Sequence, residues 1–211
     1  MLGLGVVAGC RARESAPARE PGTPASERSD PAIVFLGTSL TAGLGLDPDQ
    51  AYPALIQRKL EAEGRHWRVV NAGVSGESSA GARRRVEWLL RQPVSVLVVE
   101  TGANDGLRAQ DVDAMRANIQ AVIDHARQAS PAPKLLLLGM EAPPNLGADY
   151  GVRFRQVYRD LAQANGVPLV PFLLAGVAGV PALNQADGIH PTAEGQERIA
   201  ATVWEALRPL L

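Results

Sequence analysis

The sequence predicts an α/β protein, a three-layer α/β/α sandwich built on a five-stranded parallel sheet. Three observations carry this. From Ala32 onward, short apolar runs alternate with amphipathic stretches; the runs are strand-length; and several of them empty into glycine-rich or polar turns. Regular alternation of this kind implies right-handed crossovers, with helices covering both faces of the sheet.

The strands are expected at Ile33 to Leu36, Trp67 to Val70, Val94 to Glu100, Lys134 to Met140 and Val167 to Val170. Helical stretches are expected between them, near Tyr52 to Glu63, Ala80 to Arg91, Asp111 to Ala129 and Tyr150 to Ala164. In the third of these, Val112, Met115, Ile119, Val122 and Ile123 fall on one face at helical spacing, and Asp111 is placed to cap it. A last helix is expected from Ala193 to about Leu207, capped by Thr192 after a proline that keeps the preceding residue extended.

Composition narrows the function classes. A chain of 211 residues suits one well-buried domain, and a net charge of −1 without a basic run argues against nucleic acid as the main partner. The single cysteine, Cys10, rules out an intramolecular disulfide. Three scattered histidines, His66, His125 and His190, form no Cys/His cluster, so neither a metal nor an organic cofactor is expected.

Four segments point to acyl transfer. "FLGTSLTAG" presents a hydroxyl nucleophile, Ser39, at the end of a strand. "DGIHP" places Asp187 three residues before His190, so that one loop supplies both an imidazole base and the carboxylate that fixes its tautomer. "VVNAGVSGES" and "VLVVETGAND" are strands running into loops. There the Gly73 amide and the Asn104 side chain are suitable donors to a developing oxyanion. Each is weak alone, since Gly73 and the Asn-Asp-Gly sequence also suit ordinary turns. Together they occupy the strand ends where open parallel sheets bind ligands.

In order, these segments resemble the four signature blocks of the SGNH (GDSL) hydrolases, closest to the bacterial thioesterase, lysophospholipase and arylesterase branch. The resemblance implies a flavodoxin-like α/β/α fold from about Ala32 to the C-terminus, with Ser39 as nucleophile, His190 as base and then acid, and Asp187 orienting His190. It implies an oxyanion hole made of the Ser39 and Gly73 amides and the Asn104 side chain, acting on acyl ester or thioester substrates. The family's usual Gly-Asp-Ser-Leu reads Gly37-Thr38-Ser39-Leu40 here, so the carboxylate beside the nucleophile is missing. Thr41 stands where the G-x-S-x-G elbow needs glycine, which disfavours the ordinary α/β-hydrolase fold. Alternative readings are a carbohydrate O-deacetylase and a catalytically silent lipoprotein that keeps the pocket as a binding module.

Other segments have two readings each. "FLLAGVAGVPALN" either lines an acyl groove or packs for its own sake, and "EAPPNLGADYG" is a candidate substrate loop. Arg108 could meet a polar substrate group near the Asn104 loop but reads first as a surface arginine on a turn, and His125 reads as part of a solvated helix face rather than a second base.

The N-terminus reads separately. "MLGLGVVAGC" ends in Val7-Ala8-Gly9-Cys10 and resembles a lipoprotein lipobox, with cleavage before Cys10 and lipid attached to it. No Lys or Arg precedes this short run, which an upstream start codon would explain; the competing reading is an unprocessed N-terminus. Residues 11–31, rich in Pro, Ala, Ser, Arg and Glu, are expected to be a disordered linker with an r.m.s. reach of about 25 Å. The domain then spans 32–211, and a periplasmic or cell-envelope location with a membrane anchor at Cys10 is the expectation.

Overall fold

The computed structural model describes residues 30–211, together with Gly3. The lipobox and nearly all of the linker lie outside these residues. Five parallel strands form one sheet: β1 (Ala32–Gly37), β2 (Arg68–Gly73), β3 (Val96–Glu100), β4 (Lys134–Leu138) and β5 (Leu169–Val170), in the order β2-β1-β3-β4-β5. Among the described residues seven α-helices accompany them: α1 (Ser39–Ala42), α2 (Tyr52–Ala62), α3 (Ser79–Leu89), α4 (Ala103–Leu107), α5 (Val112–Gln128), α6 (Ala148–Asn165) and α7 (Ala193–Leu207). On one side of the sheet α3 packs on α5 and α5 on α6, while α2 packs on α7. The expected sandwich is the observed one.

β1, β3 and β4 read as continuous apolar runs because they are central and covered on both faces. Ile33, Phe35, Leu36, Val96, Leu97, Val98, Leu136 and Leu138 are wholly buried. They meet Ile56 and Leu60 of α2, Ile119 and Val122 of α5, Phe154 of α6, and Ile199 and Val203 of α7 in a single core. Each such side chain contributes about 1.5–3 kcal/mol by leaving water, which sets the helix registers firmly.

β3 starts two residues later than expected, at Val96, and β4 ends two residues earlier, at Leu138; three other differences have a local reason. β2 runs on to Gly73, because the Asn71 side chain is satisfied within the edge strand by bonds to Thr41 O and the Gly73 amide. β5 shrinks to two residues, since Pro168 and Pro171 flank it and neither can donate to a ladder. The Asn-Asp-Gly sequence is not a simple turn but the body of α4. Its Asp105 carboxylate, almost wholly buried, accepts from the Ser79 amide at 2.8 Å and the Ser79 hydroxyl at 2.5 Å, pinning the start of α3.

The two expected caps are present. Asp111 Oδ1 accepts from the Ala114 amide at 2.7 Å, and Thr192 Oγ1 from the Gly195 amide at 3.3 Å. The shorter bond at α5 uses a charged acceptor at the positive end of a helix dipole. Asp111→Ala should therefore lower stability by about 1 kcal/mol, a fall of about 2–4 °C in Tm for a domain this size. Thermal unfolding checks this; an unchanged Tm would show that the cap contributes nothing.

Candidate active site

The chain passes from β1 outward to β2 and then returns across β1 to β3, so the topological switch lies between the carboxyl ends of β1 and β3. Ser39 follows β1 and Asn104 follows β3. Ser39 is the first residue of α1, where its amide has no intrahelical partner to meet.

His190 arrives from the far end of the chain. The Asp187 loop is shaped by its own carboxylate: Oδ1 accepts from the amides of Ile189 at 2.9 Å and His190 at 3.0 Å. Oδ2 lies 2.6 Å from His190 Nδ1, and His190 Nε2 lies 2.9 Å from Ser39 Oγ. Carboxylate, imidazole and hydroxyl thus form one continuous chain. The hydrogen bond from the His190 ring, followed by those from the His190 and Ile189 amides, holds the Asp187 carboxyl well below its ordinary range.

Two glutamines fasten this loop and α7 to the turn that bears Ser39. Gln185 Nε2 donates to Leu44 O at 2.7 Å, just past α1, and to Pro191 O at 2.9 Å. Gln196, buried on α7, accepts from the Tyr52 amide at 2.9 Å and donates to Leu40 O at 3.2 Å. The Ser39–His190 distance is therefore set by bonds on both sides of the contact. Neither glutamine announces itself in sequence, because its partners are distant along the chain.

The structure places Gly73 differently from the sequence expectation. Its amide donates to Asn71 Oδ1 at 3.0 Å, so that group is already engaged. A Cβ there would stand 2.3 Å from the Ala42 nitrogen and 2.8 Å from Thr38 O. Glycine is required at this position because α1 packs directly on the end of β2.

The next glycine in the same block, Gly76, sits in an exposed turn at φ +78°. Among the described residues its amide has no acceptor. That turn is held against α4: Asn104 Nδ2 donates to Glu77 O at 3.0 Å and Arg108 Nη2 to Gly76 O at 2.9 Å. Arg108 is exposed, as expected of a surface arginine on a turn, and it also clamps the Gly76 turn. The second glycine of "NAGVSGES" was the available signal for Gly76.

Ser39 and Asn104 open onto a cavity of about 450 Å³ whose apolar walls include Leu40, Leu107, Met140, Phe172, Leu174 and Ile189. The segment "FLLAGVAGVPALN" divides its residues. Phe172, Leu174 and Ala178 face the cavity, while Leu173 and Val177 are buried in the core. Pro143 and Pro144, from the candidate substrate loop, line it as well. His125 lies elsewhere, 3.3 Å from Glu87. The described residues contain no group of three or more potential metal ligands.

The chain is similar to known proteins in both sequence and fold. The model of the GDSL-like Lipase/Acylhydrolase family matches residues 35–198. The chain is 43% identical to the esterase TesA of Pseudomonas aeruginosa over 85% of its own length and 89% of that protein's. It is 35% identical to thioesterase 1/protease 1/lysophospholipase L1 of Escherichia coli K12, over 85% of this chain and 84% of the other. A crystal structure of TesA superposes with a TM-score of 0.81 at 42% identity, covering 85% of this chain and 99% of that one. With its fold, its four signature segments and these relatives in agreement, the chain belongs to the GDSL-like lipase/acylhydrolase family.

Proposed function

We propose that this protein is a serine esterase and thioesterase that hydrolyses acyl esters, including aryl esters, acyl-thioesters and lysophospholipids, through an acyl-enzyme on Ser39. The observation that carries this reading is the unbroken Ser39–His190–Asp187 hydrogen-bond chain at the mouth of an apolar cavity. The names of the similar proteins, an esterase and a thioesterase/lysophospholipase among them, support the same substrate class.

In this reading His190 Nε2 takes the Ser39 proton as the oxygen attacks the acyl carbon, then returns it to the leaving group. Water repeats the sequence to release the acid. Asp187 fixes the tautomer through Nδ1 and stabilises the imidazolium. The oxyanion is met by the Ser39 amide and the Asn104 side-chain amide. The Gly76 amide is the third donor in place of Gly73, whose amide is already bonded to Asn71. All of these groups belong to the chain itself.

The apolar walls supply chain-length preference, because each buried methylene is worth up to about 0.8 kcal/mol, a few-fold in kcat/KM. Activity on p-nitrophenyl esters should rise from acetyl to medium chains, and Ser39→Ala should abolish it, with losses of up to about a millionfold in kcat. A folded Ser39→Ala variant that kept a tenth of wild-type activity would exclude Ser39 as nucleophile. A steep preference for acetyl, with acetate released from acetylated sugars, would instead favour a carbohydrate deacetylase.

The lowered Asp187 carboxyl fixes the sign of one pH effect. A folded value below the unfolded one means that this group's contribution to stability is present above the ordinary value of 3.8 and is lost as pH falls through the folded value. Asp187 should thus stay ionised throughout the working range. A ¹³C NMR titration of the Asp187 carboxyl should show a midpoint below 3.8 that rises in His190→Ala. A midpoint unaffected by His190→Ala would contradict this assignment.

We also propose a lipid anchor at Cys10 and a cell-envelope location, supported by the Val7-Ala8-Gly9-Cys10 sequence and the polar, proline-rich stretch after it. Wild-type protein should partition with membranes and incorporate labelled fatty acid, and Cys10→Ala should do neither. Equal behaviour of the two would remove the anchor.

A further inference from the structure

The one fully buried carboxylate in contact with the nucleophile turn belongs to neither the triad nor the oxyanion donors. Glu100 ends β3 and is 0% exposed. Its Oε2 accepts from the Thr38 amide at 2.7 Å, the Thr38 hydroxyl at 2.9 Å and the Thr41 hydroxyl at 2.9 Å; its Oε1 lies 3.0 Å from the Thr38 hydroxyl. No Lys, Arg or His pairs with it among the described residues. Thr41 Oγ1 is also 2.7 Å from the Tyr52 hydroxyl. With the Thr41 proton directed at Glu100, Tyr52 is the donor in that contact, so a relay runs from Tyr52 through Thr41 to the carboxylate.

Burying a carboxylate without a cation costs several kcal/mol, and an apolar side chain would serve the core at least as well. The donors gathered around it are the residue before Ser39 and the residue two beyond it. The surroundings are shaped to admit the group: a Cβ on Gly37 would stand 1.9 Å from Thr41 Oγ1 and 2.8 Å from Glu100 Oε2.

We propose that Glu100 is a positioning residue for the nucleophile, clamping Thr38 and Thr41 on either side of Ser39 and supplying from β3 the carboxylate that the nucleophile turn itself lacks. The clamp fixes two groups at once. One is the Ser39 hydroxyl, aimed at His190 Nε2, and the other is the Ser39 amide, aimed at the oxyanion. Burial raises the Glu100 carboxyl above its ordinary value, and the hydrogen bonds from the Thr38 amide and the Thr41 and Thr38 hydroxyls offset part of that rise. Thr38 is the residue that makes this arrangement possible, because a hydroxyl donates to Glu100 where a second carboxylate would repel it.

The inference rests on Ser39 being the nucleophile, and the test separates the two claims. Glu100→Gln keeps the volume but turns one acceptor oxygen into a donor facing the Thr38 and Thr41 donors. In the full-length protein, kcat on a p-nitrophenyl ester should fall by about 100-fold with KM within about twofold, as expected for a misplaced reacting group. The rate of Ser39 labelling by a fluorophosphonate should fall by the same factor, while the final labelling stays at one per chain. Glu100→Asp should recover part of the loss.

A merely structural role would lower the fraction labelled and the Tm and leave the labelling rate of the folded fraction unchanged, which would overturn the proposal. So would a kcat within threefold of wild type. Should Glu100→Gln fail to fold, Thr41→Val removes one donor and should cost about tenfold in kcat at constant KM; a folded Thr41→Val with normal kcat also overturns it. Failure of Ser39 to label in the wild type would instead refute the nucleophile itself.

Discussion

Parallel strands all present their carboxyl ends to the same edge of the sheet, and this constraint governs where every reactive group in the molecule lies. The turns after β1, β2 and β3 must emerge side by side, and the reversal of winding between β1 and β3 opens a crevice there. Ser39 and Asn104 sit on its two walls because they are the first polar residues past those strands that can reach it. The loop carrying Asp187 and His190 has no strand of its own at this point. It is moored by Gln185, the Asn184–Pro191 bridge and the α7 cap.

The nucleophile turn joins two opposed demands. It must bring backbone close to backbone, which it does where Gly73 meets α1 and Gly37 meets Thr41. It must also hold the Ser39 hydroxyl against His190 Nε2 while leaving the Ser39 amide without a partner among the described residues. Glu100 reconciles them from beneath, by drawing the donors of Thr38 and Thr41 inward. Asn71 acts similarly from the edge strand, taking the Gly73 amide and donating to Thr41 O. Polar groups below the turn are thereby satisfied within the protein, and those above it are left for substrate.

Around this centre the walls are apolar and drawn from several loops. Phe172 and Leu174 come from beyond β5, Met140 from beyond β4 and Leu107 from α4. A surface assembled from separate loops on a rigid sheet allows acyl-chain selectivity to change without disturbing the Ser39–His190 contact. The turn bearing Gly76 is tied to α4, since Asn104 and Arg108 both bind it.

The sequence by itself determined what short-range physics controls. Strand and helix alternation, the amphipathic face of α5, the caps at Asp111 and Thr192, and the pairing of Asp187 with His190 all act over a few residues, and their pattern is legible in one dimension. The family's four blocks likewise brought Ser39, Asn104 and His190 into view. Tertiary structure alone decided which donors remain free. Asn71 engages the Gly73 amide through a side chain whose preference no spacing reveals, and so the glycine named from sequence is a packing residue. Glu100 and Thr38 lie 62 residues apart, and Gln196 reaches Leu40 across 156. The worth of such contacts depends on burial and on which neighbour has already used the hydrogen bond, and those quantities exist only once the chain has folded.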